Sequence, residues 1–147
     1  MILINERICT GCRTCEFACS FQQKQSFHYA FSLIRIQKNK EEEGFFQVAV
    51  CRHCPSAPCV QACPVEAISR DPQSGLVTIT SSKCTGCGQC LGACPWRAPV
   101  FTSSAGIAKI CDLCQDDPLC VKFCQPGALR NAEKTSPLRF PSKGDKE

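Results

Sequence analysis

The chain has 147 residues, sixteen of them cysteine, and about 11% cysteine exceeds the roughly 8–10% at which composition points to a covalent or metal-held scaffold. The 44% hydrophobic content counts those cysteines, so about a third of the chain remains for an apolar core, and a fold of one ordinary domain or two very small ones needs staples. A formal charge of +4 is too small to mark a nucleic-acid surface by itself, and no stretch approaches the roughly 18 apolar residues that span a bilayer.

In chain order, the opening Met1-Ile2-Leu3-Ile4-Asn5-Glu6-Arg7 has no basic lead, no sustained apolar run and no twin arginine. Neither a secretory nor a twin-arginine signal is visible, and the expectation is a cytoplasmic chain whose thiols stay reduced and free to bind metal. A strand is predicted at 2–4, followed by a first cysteine quartet of Cys9, Cys12, Cys15 and Cys19. Strands at 32–37 and 45–50 flank a charged surface loop at 38–44. The second quartet is Cys51, Cys54, Cys59 and Cys63. Residues 67–80 read as a hairpin, two short apolar runs around Asp71-Pro72-Gln73-Ser74-Gly75. The third quartet, Cys84, Cys87, Cys90 and Cys94, repeats the Cys-Thr-Gly-Cys opening and Ala-Cys close of the first. A further hairpin is predicted across 99–110. The fourth quartet, Cys111, Cys114, Cys120 and Cys124, repeats the long middle loop of the second, with proline ahead of the third cysteine. Such alternation marks duplicated supersecondary units. Short helices of one to three turns are expected to begin in the three residues before each fourth cysteine. From about Asn131 the chain turns polar, so 132–147 reads as an extended tail in which Leu138 and Phe140 could wrap a partner.

Four thiolates at these spacings suit a cubane cluster. Cys-x-x-Cys-x-x-Cys wraps three corners, and in the run that ends Cys-x3-Cys-Pro the last cysteine leaves to ligate the neighbouring cluster. Gly11, Gly86 and Gly88 suit loops that need positive φ and close backbone approach. Zinc sites use paired Cys-x-x-Cys elements and have no need of a third cysteine three residues on, and disulfides call for a secreted chain. The spacing therefore points to four [4Fe–4S] clusters. Each adds about −2 to a count that treats Cys as neutral, which would take the loaded chain from +4 to about −4.

Quartets two and three end in Cys-Pro (Cys63-Pro64, Cys94-Pro95), whereas Ser20 follows Cys19 and Gln125-Pro126 follows Cys124. The pattern suggests an inner ferredoxin-like unit at 51–94 nested in an outer unit from 1–50 and 95–131. The expected fold is α+β, two nested bacterial-ferredoxin-like units of short antiparallel hairpins and short helices around the clusters. The ferredoxin motif puts Cys94 with Cys51, Cys54 and Cys59, and Cys63 with Cys84, Cys87 and Cys90.

Cys51-Arg52-His53-Cys54, Ala57-Pro58-Cys59-Val60-Gln61-Ala62-Cys63-Pro64, Ala93-Cys94-Pro95-Trp96-Arg97-Ala98-Pro99 and Lys109-Ile110-Cys111-Asp112-Leu113-Cys114 resemble the four-cluster electron-transfer subunits of molybdenum, tungsten and related oxidoreductases. The resemblance covers about residues 1–131. Together with the proline pattern it implies that Cys124 joins Cys9, Cys12 and Cys15, that Cys19 joins Cys111, Cys114 and Cys120, and that the clusters form a line. The short spacers, and Asp117-Pro118-Leu119-Cys120-Val121-Lys122-Phe123-Cys124, are most similar to the compact subunits beside tungsten aldehyde oxidoreductases and the tungsten-type benzoyl-CoA reductases. Compact members beside hydrogenases and carbon monoxide dehydrogenase are the alternative. The implied partners are a large catalytic subunit holding a tungsten or molybdenum pterin and a further redox protein, in a hetero-oligomer. No nucleic acid and no membrane span are implied.

The expected chemistry is one-electron transfer, with the protein setting distance, burial and potential. Arg13, Arg52, Lys83, Arg97 and Lys109 would favour a reduced cluster, and Glu16, Asp112, Asp116 and Asp117 would oppose it; solvated surface charge is the plainer reading of any one. His53 lies between two thiols that already have their partners, and Trp96 is expected to pack over a cluster as a water shield. No nucleophile–base pair, paired carboxylate or Gly-rich phosphate loop stands out, so no catalytic site of its own is expected. A free polyferredoxin and a zinc-binding adaptor are the rival functions.

Overall fold

The computed structural model describes residues 1–101 and 106–132. Eight short strands, β1 (Ile2–Ile4), β2 (Arg35–Lys38), β3 (Phe46–Ala49), β4 (Ile68–Arg70), β5 (Val77–Ile79), β6 (Val100–Phe101), β7 (Ala108–Lys109) and β8 (Leu129–Asn131), are joined by α1 (Thr14–Lys24), α2 (Pro58–Gln61), α3 (Gln89–Ala93) and α4 (Leu119–Lys122). All strand pairs are two-stranded and antiparallel. The arrangement is α+β, and the first strand pairs with the last: Ile2 lies opposite Asn131 and Ile4 opposite Leu129. β4 pairs with β5 through a turn in which Asp71 Oδ1 accepts the N–H groups of Gln73 and Ser74 at 2.8 and 2.7 Å, the Asx chemistry that the Asp-Pro sequence foretold. The helices follow suit, α1 packing on α4 and α2 on α3.

Each helix begins one residue before the third cysteine of its quartet, at Thr14, Pro58, Gln89 and Leu119. That is earlier than the sequence suggested. Arg13, Ala57 and Gly88 take left-handed conformations (φ 60°, 36° and 79°) and turn the chain sharply into α1, α2 and α3, while Pro58 occupies the first turn of α2, where a missing N–H costs nothing. The third thiol of every quartet therefore sits at a helix start, among backbone N–H groups with no partner in the helix.

α2, α3 and α4 stop one or two residues before the fourth cysteine. A tight turn follows, closed by Glu66 N–H to Cys63 O (3.3 Å), Arg97 N–H to Cys94 O (3.1 Å) and Gly127 N–H to Cys124 O (3.0 Å). The residue closing each turn has positive φ, and the chain runs on into β4, β6 or β8. Quartet four thus makes the same exit as quartets two and three, with Pro126-Gly127 in place of an adjacent proline. Quartet one differs. α1 runs past Cys19 to Lys24, which the N–H of Ser20 permits, before Gln25 ends it in a left-handed conformation (φ 51°).

Strands β2 and β3 are shorter than predicted, with Ser32–Ile34 outside β2. β6 and β7 form the expected hairpin at its two ends, while 102–105 and the predicted tail beyond Ala132 lie outside the described residues. The main core joins Ile2, Leu33, Ile34, Ile36, Val48, Val50, Val100 and Leu129 to the thiols of Cys15, Cys19, Cys51, Cys111 and Cys120. A second cluster joins Ala57, Ile68, Val77 and Ala108 to Cys90. Cysteine is a structural part of both. Among the described residues no helix is long and apolar enough to cross a membrane.

Candidate metal centres

The sixteen cysteines are all free thiols, and they gather in four groups that cut across the sequence quartets. Cys9, Cys12, Cys15 and Cys124 line one cavity, walled by Ile36, Val48 and Leu129. Cys63, Cys84, Cys87 and Cys90 line another, walled by Ile68, Phe101 and Ala108. Electrostatics identifies the other two. Burial pushes the Cys51 thiol up to about 11, opposed by the His53 amide and assisted by Cys59, Cys94 and Cys54. Burial pushes Cys111 up to about 12, against the Leu113 amide and with help from Cys19 and Cys114, and Cys120 is raised by burial, then by Cys111, Cys19 and Cys114.

Every group therefore takes three thiols from one quartet and one from another. The groups also act on one another electrostatically. Cys15 adds to the rise of Cys120, Asp112 opposes the burial-driven lowering of the His53 imidazole, and Cys59 adds to the rise of Cys90. By these influences Cys9/Cys12/Cys15/Cys124 neighbours Cys19/Cys111/Cys114/Cys120, which neighbours Cys51/Cys54/Cys59/Cys94, which neighbours Cys63/Cys84/Cys87/Cys90. Cys12 and Cys87, the two exposed thiols, belong to the two ends.

Backbone geometry turns donors toward the thiols. The residue before each second cysteine has positive φ: Gly11 (70°), His53 (47°), Gly86 (72°) and Leu113 (58°). The amides of Gly11, His53 and Leu113 then reach Cys9, Cys51 and Cys111. Each crossing thiol accepts a backbone N–H of its own: Cys19 from Leu33 (3.3 Å), Cys63 from Ala67 (3.2 Å), Cys94 from Ala98 (3.5 Å) and Cys124 from Leu129 (3.4 Å). Amide donors of this kind stabilise thiolate and bound sulfur against an apolar surrounding. Their effect is visible at Cys63, where burial raises the thiol but the amides of Ala67, Val65, Ile68 and Glu66 outweigh it and hold it below the usual value. At Cys12 the Thr14 hydroxyl, 3.5 Å away, and the Thr14 amide lower the thiol. Among the described residues no three His, Cys, Asp or Glu side chains meet at a single-ion site. Four thiols with inward amides around an apolar space make a donor set that fits a [4Fe–4S] cluster.

The neighbouring charges divide. Arg13, Lys83, Arg97 and Asp112, Asp116 and Asp117 are exposed, Asp112 Oδ1 accepting the Cys114 N–H at 3.0 Å. Glu16 is different. It is buried on α1, its Oε1 accepts the Ile36 N–H at 2.7 Å, and Arg13 lies 3.8 Å away, so it fastens β2 to the first quartet. His53 Nδ1 accepts the Val77 N–H at 2.9 Å, a structural tie to β5. Trp96 packs on the Arg52 guanidinium, 3.6 Å from its ring centroid. Glu6 and Leu33 gave no sequence signal. Glu6 Oε1 accepts the Val48 N–H at 2.9 Å and Leu33 serves a thiol 14 positions away, and only the tertiary fold creates such pairs.

The 4Fe-4S dicluster domain family matches residues 42–134. The aliphatic sulfonate oxidoreductase polyferredoxin-like subunit of Pyrococcus furiosus is 39% identical over 123 residues, covering 84% of this chain and 70% of that protein. The thiosulfate reductase electron transfer subunit PhsB of Salmonella typhi is 32% identical over 145 residues, covering 88% and 73%. A chain of the solved active-site complex BamBC of benzoyl coenzyme A reductase overlays 88% of this chain and 74% of its own length, at 25% identity and TM-score 0.49. By the family match and the two relatives in sequence, the chain belongs to the 4Fe-4S dicluster domain family, among the iron–sulfur electron-transfer subunits of oxidoreductases.

Proposed function

We propose that the chain holds four [4Fe–4S] clusters, one in each mixed group of thiols, and relays single electrons between the active-site subunit of a tungsten or molybdenum oxidoreductase and a second redox protein. Residues 1–131 would then form one polyferredoxin domain, an inner unit at 51–94 within an outer unit from both chain ends. The observation that carries the reading is the crossing of the fourth thiols: Cys124 lies with Cys9, Cys12 and Cys15, and Cys63 with Cys84, Cys87 and Cys90. The row of groups, with an exposed thiol in each end group only, suits entry at one end and exit at the other. Relatives named as oxidoreductase subunits support a dedicated partner.

When bound, a cluster supplies one-electron oxidation and reduction. The chain's own part is to hold each thiolate in place, to direct amide hydrogens at sulfur, and to keep water from the two middle groups, whose thiols are buried or half-buried. The test of the ligation is Cys12→Ser. It is expected to remove or convert one cluster and leave the signals of the inner pair intact in electron paramagnetic resonance of the reduced protein. Loss of both inner signals with the outer ones unchanged contradicts the assignment. The test of the partner is native purification: co-elution with a larger pterin-containing protein is expected, and a monomer carrying every cluster on its own contradicts the subunit reading.

A further inference from the structure

Two arginines hold the segments that carry the third group, Cys51, Cys54, Cys59 and Cys94. Arg52 stands between Cys51 and Cys54 in sequence, and Trp96 stands two residues past Cys94. Their stack therefore ties the loop that carries two of this group's thiols to the segment that delivers the fourth. Glu6 lies 3.8 Å from Arg52, a carboxylate whose Oε1 also accepts the Val48 N–H and which offsets part of the arginine's charge. The Arg52 side chain is only 27% exposed, and its Nε is buried with no protein partner. Arg35 reaches the same segment from β2, donating to the carbonyls of Arg97 (2.7 Å) and Pro99 (3.3 Å).

A cation held in a partly desolvated place acts far more strongly on a neighbouring charge than one waving in water. Of the other cations named from sequence, Arg13 is 57% exposed, Lys83 and Arg97 are exposed, and Lys109 is half-buried but stands two residues before Cys111, in the second group. The second group has Asp112, Asp116 and Asp117 on its own loop, with Lys122 2.6 Å from Asp117 and Lys109 just ahead of Cys111.

We propose that Arg52, stacked on Trp96 and braced by Glu6, is a positioning residue that fixes a positive charge beside the Cys51/Cys54/Cys59/Cys94 group and makes its cluster the highest in reduction potential of the four. This rests on the reading that these thiols hold a [4Fe–4S] cluster. Reduction there adds one electron, taken from an external one-electron donor, and makes or breaks no bond in the protein. The cation stabilises the added negative charge, and the aromatic face keeps the guanidinium from swinging out into water.

The experiment is a dithionite titration of the anaerobically loaded full chain, followed by paramagnetic resonance and paired with iron analysis. A Cys51→Ser variant identifies which signal belongs to this group. That signal is expected to be the first to appear on reduction of the unaltered chain. Arg52→Gln is expected to move it alone to a more negative potential, with iron content unchanged. Trp96→Leu is expected to move it the same way by less, and Trp96→Phe to restore it. Arg52→Gln with full iron and an unmoved potential, or with all four signals moved alike, overturns the inference while leaving the clusters standing. Should Arg52→Gln fail to load, the tryptophan pair decides, and an unmoved signal in Trp96→Leu overturns it. An unaltered chain without iron sinks the underlying reading instead.

Discussion

Two glycines in the same loop separate close approach from backbone freedom. Gly86 has φ 72°, and a Cβ there would stand 2.2 Å from the Gly106 carbonyl oxygen. Gly88 has φ 79° with nothing within 4 Å. Gly86→Ala is therefore expected to cost the Cys63/Cys84/Cys87/Cys90 cluster, read as a loss of about four irons per chain. Gly88→Ala meets only left-handed strain of about 1–2 kcal/mol and should keep its iron; equal losses contradict the distinction. Glu16 offers a second residue-scale test. Removing the buried carboxylate leaves the Ile36 N–H unpaired, and Glu16→Ala is expected to cost about 1–3 kcal/mol in denaturant unfolding of the loaded protein. A variant as stable as the original denies Glu16 its structural part. Sequence identified Gly86 by its place in Cys-Thr-Gly-Cys, but Glu16 read as a surface charge beside a thiol. Its hydrogen bond spans 20 residues, which no local pattern encodes.

At the scale of elements, the four quartets obey one plan with one exception. α2, α3 and α4 end one or two residues before the fourth cysteine, whereas α1 continues through Cys19, a continuation that the N–H of Ser20 permits. The extension carries Phe21, whose ring stacks on Phe27 at 4.9 Å. Ser20→Pro removes a helical N–H and crowds the preceding turn, at about 3 kcal/mol or more. It is expected to shorten α1, lower the helical circular dichroism and weaken the loaded fold; unchanged helicity and stability would show that Ser20 does not set the length. The strands at 2–4, 45–50 and in the 67–80 hairpin were legible from alternation and turn residues. The pairing of β1 with β8 was not legible in either strand alone, since it joins the two ends of the described chain. The proline pattern hinted at it only indirectly, through the nesting of outer around inner quartets. Pro126-Gly127 looked like a departure at the fourth exit and proves to build the same turn.

Across the whole molecule, the thin apolar content is made good by burying thiols, and that choice has a cost in protonation. Burial holds Cys15 and Cys111 up at about 12 and Cys51 and Cys114 at about 11, above the ordinary 9.0. A raised value favours the neutral thiol in the folded chain. The stability it gives the metal-free fold is present below the ordinary value and is lost as pH climbs from about 9 toward 12. Cluster assembly needs thiolates, so loading must expel those protons. Loading with iron and sulfide is expected to acidify a weakly buffered solution and to run faster at about pH 9 than at about pH 7, and a rate flat across that range contradicts the burial of protonated thiols.

The central claim is that thiols from different quartets meet in fours around inorganic cubanes, and composition tests it most directly. The full chain, purified without oxygen and assayed for iron, acid-labile sulfide and zinc, is expected to be brown with about sixteen irons and about sixteen sulfides per molecule. A colourless preparation carrying zinc and no sulfide contradicts the account.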